Sequence, residues 1–111
     1  MGGGGGALAP KLVFMIEPKE GPALGGTQVT VTIASTGNIP KNHQDWFCQF
    51  GQKVVPAVSY FKRPGAEDPE YGAILCLAPA GTPHNSVSVK ISLDGLHFVS
   101  GPRYFYSSIG G

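Results

Sequence analysis

Three histidines (His43, His84, His97) and two cysteines (Cys48, Cys76) are the side chains of this 111-residue chain best suited to acid–base, nucleophilic or metal chemistry. The cysteines lack the paired C-x-x-C spacing of a zinc site, so they are not read as metal ligands. Each histidine falls in or beside a segment rich in turn formers, where a solvated imidazole is the ordinary state. Ser59, Ser86 and Ser100 have no Gly-x-Ser-x-Gly context, and no local spacing sets a base against a nucleophile. Glu67, Asp68 and Glu70 crowd one segment and could bind Ca²⁺ weakly with loop carbonyls, although a solvated acidic loop is the simpler reading. Asn38, Asn42 and Asn85 all lack Ser or Thr two positions later, so no glycosylation is expected. The expectation is a non-catalytic protein with no cofactor and no metal.

What would position these side chains is a single domain. Apolar residues make up 41% of the chain and aromatics 10%, ample for a packed core, while 14% is charged. Residues 1–10 read as a flexible Gly-rich leader or linker, 11–107 as the domain and 108–111 as a flexible tail. The net charge is +1, with Lys11, Lys19, Lys41, Lys53, Lys62, Arg63, Lys90 and Arg103 spread among acidic residues. Nothing concentrates positive charge for nucleic acid or an anionic membrane. No apolar run reaches the length of about 18 residues that spans a bilayer, so membrane insertion is not expected. The start of the chain lacks the charged and apolar regions of a signal peptide; if the parent protein is secreted, its signal lies upstream.

Short stretches of β-branched and aromatic residues alternate with Gly, Pro, Asn and Asp clusters, and none has a helical period. Lys11–Glu17 reads as a strand apolar on both faces. In 28–34, Val29, Val31 and Ile33 alternate with Thr30 and Thr32, giving one buried face. Strands are also expected at 45–50, 53–61, 72–78, 86–93 and 96–106, the last broken near Gly101-Pro102. Gly51-Gln52 reads as a hairpin turn, as does Asp94-Gly95. Pro56 cannot donate to a ladder and places its strand at an edge or a bulge. About seven strands in a hundred residues predict an all-β, immunoglobulin-like β-sandwich.

The run Ile16-Glu17-Pro18, Glu20-Gly21-Pro22, Gly25-Gly26-Thr27 and Val29-Thr30-Val31 resembles the opening of IPT/TIG domains, the immunoglobulin-like modules of plexins and transcription factors. Cys48-Gln49-Phe50-Gly51 resembles the family's cysteine-x-Phe-Gly element, and Cys76-Leu77-Ala78-Pro79 its cysteine-x-x-Pro element. Val87–Gly95 and Tyr104-Phe105-Tyr106 match the closing strand pair. The likeness spans about residues 12 to 106. It departs from the pattern at 34–39, where the family's Gly-x-x-Phe element is poorly matched, and in the long segment 62–71.

The resemblance to extracellular members implies a Cys48–Cys76 disulfide and an oxidising, extracellular or cell-surface setting. Two buried reduced thiols remain the alternative. It implies a protein-interaction or spacer module of a larger receptor or adhesion protein, whose partners are another protein or neighbouring domains of its own chain. An intracellular transcription-factor TIG domain supporting dimerisation and DNA contact, and a carbohydrate-associated module of a secreted protein, are the competing functions. Gly25 and Gly26 are expected at positive φ where a Cβ would clash, with Gly51 and Gly95 serving the other turns. Trp46, Cys48 and Phe50 share one strand face, placing Trp46 beside the cystine. Phe47, Tyr60 and Phe61, with Glu67 and Asp68 in the neighbouring loop, form the candidate binding surface.

Overall fold

The computed structural model describes residues 12–35, 42–62 and 70–108. Among them are nine strands: β1 Leu12–Glu17, β2 Glu20–Pro22, β3 Gln28–Ser35, β4 Phe47–Phe50, β5 Lys53–Pro56, β6 Ser59–Lys62, β7 Glu70–Leu77, β8 Asn85–Ser92 and β9 Phe98–Ser107. A single 3₁₀ turn, His43–Asp45, precedes β4; Asn42 caps it by accepting from the Gln44 N–H at 3.0 Å. The strands form a four-stranded sheet in the order β1-β3-β7-β6 and a five-stranded sheet in the order β2-β9-β8-β4-β5. The fold is an all-β sandwich.

Alternation builds the core. Val29, Val31 and Ile33 of β3 are fully buried, with Ile74 of the neighbouring β7 beside Val31, and share one apolar cluster with Val89 and Ile91 of β8 and Tyr104 and Tyr106 of β9 in the opposite sheet. The rings close it: Phe50 and Tyr106 each meet Tyr104 edge-on, at centroid distances of 5.4 and 5.2 Å. Such pairs contribute about 0.5–1.5 kcal/mol beyond the area they bury.

The first strand is apolar on both faces: Leu12, Phe14 and Ile16 point inward while Val13 and Met15 face outward. Two local expectations are corrected. The single strand expected at 53–61 is two strands in different sheets. The Ala57 amide donates to the Trp46 carbonyl at 3.0 Å, and the next amide, Val58, donates to the Leu75 carbonyl of β7 at 2.8 Å. The chain therefore changes sheet within one peptide unit, just after Pro56, whose missing N–H ends β5 at the sheet edge. The break near Gly101-Pro102 is a bulge inside a continuous β9: Ser88 pairs with Arg103 but Lys90 with Ser100, so β9 holds one extra residue there. The unpredicted β2 carries no β-forming residue except by position; it runs parallel to β9, Glu20 beside Phe105 and Pro22 beside Ser107.

Strand directions put the connections at two ends. The end of β3, the starts of β4 and β7 and the β8–β9 turn lie at one end, with the start of β1; segments 18–27, 51–52 and 78–84 lie at the other, with the end of β9.

Candidate interaction surface

Cys48 of β4 and Cys76 of β7 sit in opposite sheets, both fully buried, and are joined by a disulfide with a Cα–Cα distance of 6.5 Å. The bond closes a loop with a sequence separation of 28 residues, worth roughly 3.5 kcal/mol in the chain-entropy picture. Trp46 is fully buried one pleat before Cys48 and stacks on Tyr60 at 6.4 Å and 18°. No described cysteine is free.

At the 18–27 end two distant motifs fit into each other. The Gly26 amide donates to the Ala78 carbonyl at 2.7 Å, and the Ala78 amide donates to the Thr27 carbonyl at 2.9 Å. Gly25 and Gly26 both have positive φ, 86° and 88°, but for different packing reasons. A Cβ on Gly25 would lie 2.6 Å from the Ala80 nitrogen, whereas one on Gly26 would meet nothing within 4 Å. The expected clash is therefore confined to Gly25, and Gly26 is required by φ alone. The Tyr106 hydroxyl donates to the Pro79 carbonyl at 2.8 Å, tying β9 to the same segment; burial, with a further push from Tyr104, raises its pKa above the ordinary phenol value. Phe50, Lys53, Ala80 and Tyr106 border an open cleft of about 470 Å³ here, crossed by a 2.6 Å bond from Lys53 Nζ to the Ala80 carbonyl. Its lysine is already engaged by backbone.

The aromatic patch expected from sequence is not brought together. Phe47 lies on the outer face of the five-stranded sheet, paired across β4–β8 with Ser92 and close to Gly95. Tyr60 points inward onto the core, and Phe61, one residue on, points outward from the four-stranded sheet with 54% exposure. Adjacent strand residues face opposite ways, so Tyr60 and Phe61 cannot share a surface. Glu67 and Asp68 lie outside the described residues.

The two outer faces differ in chemistry. On the five-stranded sheet, Gln49, Ser86, Ser88, Lys90 and Arg103 face outward with the exposed Val54 and Phe105 among them, and Arg103 is held by Ser86 through bonds of 3.1 and 2.9 Å. On the four-stranded sheet, one cross-strand row reads Met15, Thr32, Ala73, Phe61. Val13, Leu75 and Leu77 extend it, leaving an apolar, nearly uncharged face. Sequence reasoning found Phe61 and missed Val13, Met15 and Leu77; the alternation of β1, once its outward parity is known, contains the signal.

The β8–β9 turn is braced by one carboxylate. Asp94 Oδ1 accepts from the amides of Leu96 (2.8 Å) and His97 (2.9 Å) and from Ser92 Oγ (2.9 Å), while Oδ2 meets His97 Nδ1 at 2.9 Å. The His97 amide, then the His97 ring and the Leu96 amide, hold the Asp94 carboxyl well below the usual carboxylate range. Gly95 closes the turn at φ 80°, as Gly51 closes the β4–β5 turn at 67°. The turn presents Leu96, 79% exposed, as an apolar tip.

His84 is an exposed turn residue and His43 sits half-buried in the 3₁₀ turn. Among the described residues no group of three or more His, Cys, Asp or Glu could hold a metal, and no helix is long and apolar enough to cross a membrane. Comparison with protein-family models, with curated proteins and with solved structures finds no match.

Proposed function

We propose that this chain is an immunoglobulin-like module of the IPT/TIG kind, serving as a non-catalytic protein-interaction or spacer domain of a larger extracellular receptor or adhesion protein. Lettered in the immunoglobulin manner, the sheets read A-B-E-D and A′-G-F-C-C′. The cystine joins C to E, where an antibody domain joins B to F. The interlock of Gly25-Gly26-Thr27 with the Ala78-Pro79 segment supplies a physical reason for two motifs of the resemblance to occur together. The buried bridge between Cys48 and Cys76 is the observation that carries the setting, because disulfides of this kind persist in oxidising compartments. It also weighs against the intracellular transcription-factor function, as does the dispersed basic charge. A carbohydrate-associated function would call for exposed coplanar aromatics, and Phe47, Tyr60 and Phe61 face three ways. Protein partners or neighbouring domains suit the apolar outer face of the four-stranded sheet.

The test is intact mass of air-refolded protein, alkylated with and without prior reduction. A two-proton mass deficit with no alkylation before reduction supports the extracellular module; two freely alkylated thiols would return the proposal to the intracellular branch.

A further inference from the structure

An aspartate can react with the backbone nitrogen that follows it, wherever the next residue does not block the approach. That nitrogen attacks the aspartate Cγ, its proton and the carboxyl hydroxyl leave as water, and a succinimide ring closes. Water then reopens the ring. Where it cleaves at the former backbone carbonyl, the chain runs on through the side-chain carboxyl as isoaspartate, with no net change of mass. Of Asp45, Asp68 and Asp94, only Asp94 precedes a glycine, and none of Asn38, Asn42 and Asn85 does. Without a Cβ, Gly95 neither shields its nitrogen nor restricts the rotation that ring closure requires.

The β8–β9 turn opposes each step of that reaction. The Gly95 amide donates to Ser92 Oγ at 2.7 Å, and Ser92 is 1% exposed, so the proton that must leave is held against a buried hydroxyl. The bonds from the Leu96 and His97 amides to Asp94 Oδ1, at 2.8 and 2.9 Å, aim the carboxyl at residues beyond Gly95. Ring closure proceeds from the neutral carboxyl, whose hydroxyl can leave, and the same bonds keep the group ionised. Burial does not contribute, because the Asp94 side chain is 47% exposed and open to water. Hydrogen bonds alone stand between this peptide and its reaction.

We propose that Asp94-Gly95 is a latent isomerisation site, held unreactive by the hydrogen bonds of the β8–β9 turn and released when that turn opens. Isoaspartate carries one more methylene in the main chain and a displaced carboxylate, so the bonds from Leu96 and His97 cannot re-form as they were. The modified turn is a lasting record of its own opening.

Peptide mapping with electron-transfer fragmentation, which separates isoaspartate from aspartate, tests this after incubation at neutral pH and body temperature. In the reduced chain held in guanidinium, isoaspartate accumulates at position 94 ahead of Asp45 and Asp68. The folded, oxidised chain accumulates it about tenfold more slowly. Ser92→Ala removes the acceptor of the Gly95 amide and abolishes most of that difference while the cystine stays unreactive; Gly95→Ala slows the reaction in guanidinium. Equal rates in the folded and unfolded parent chain overturn the proposal, with no variant needed. So does an unfolded chain without isoaspartate at position 94, or a folded Ser92→Ala chain that isomerises no faster than the parent.

Discussion

Gly25 and Gly26 share the sign of φ and differ in what surrounds them. Gly26→Ala adds the cost of a left-handed alanine, about 1 kcal/mol. Gly25→Ala adds the same cost and also drives a methyl into the backbone at Ala80, for a total of about 3 kcal/mol or more. Urea unfolding of the two variants should show that gap; equal losses would mean that the Ala78–Gly81 segment yields freely. Asp94 supplies a second residue-scale expectation. Its folded carboxyl titrates below the unfolded value, so its contribution is present above about pH 4, the unfolded carboxylate value, and is lost as the pH falls further. The urea midpoint of the parent chain should therefore drop on acidification below about pH 4. Asp94→Asn should remove part of that slope, and an unchanged slope would show that the carboxylate does not brace the turn.

At the scale of elements, the passage between β5 and β6 turns on two consecutive amides that donate to opposite sheets, Ala57 to Trp46 and Val58 to Leu75. Both lie outside regular strands. Native-state hydrogen exchange should nevertheless protect them to a degree comparable with Val31 and Ile91, because each bond ties the crossing segment to a different sheet. Exchange as fast as that of the Asp94–His97 turn would contradict this. The alternation of β3 and β8, the shared face of Trp46, Cys48 and Phe50, and the edge position of Pro56 were all legible in the residues, since each depends on period-two sterics or a missing donor. The sheet change was not: 53–61 is continuously β-forming, and which carbonyl accepts each amide depends on strands far away in the chain. β2 was hidden for the opposite reason, since Glu-Gly-Pro pairs only because β9 passes beside it. The aromatic surface failed on parity, as Phe47, Tyr60 and Phe61 were grouped by type while the pleat sends neighbours to opposite faces. Nothing before the strand directions were known put Val13 and Met15 on the same face as Phe61.

Across the whole molecule, β1 begins at one end of the sandwich and β9 finishes at the other, so the described chain enters and leaves at opposite poles. A module of a tandem array threaded in this way transmits tension along its strands. Pulling on Leu12 and Ser107 loads the β1–β3 and β2–β9 pairs in shear, with their hydrogen bonds strained together rather than opened one by one. Once these pairs part, the bond between Cys48 and Cys76 becomes an extension stop. Residues between the cysteines stay looped out of the force path, and with a separation of 28 residues the withheld length is roughly 95 Å at full extension. In single-molecule stretching, adding reductant should lengthen each unfolding step by about that amount; steps of the same length in both conditions would mean that the bond does not close the loop. The cystine that holds the sheets together at rest thus sets how far the domain can lengthen under load, and makes that reach depend on the redox state of its surroundings.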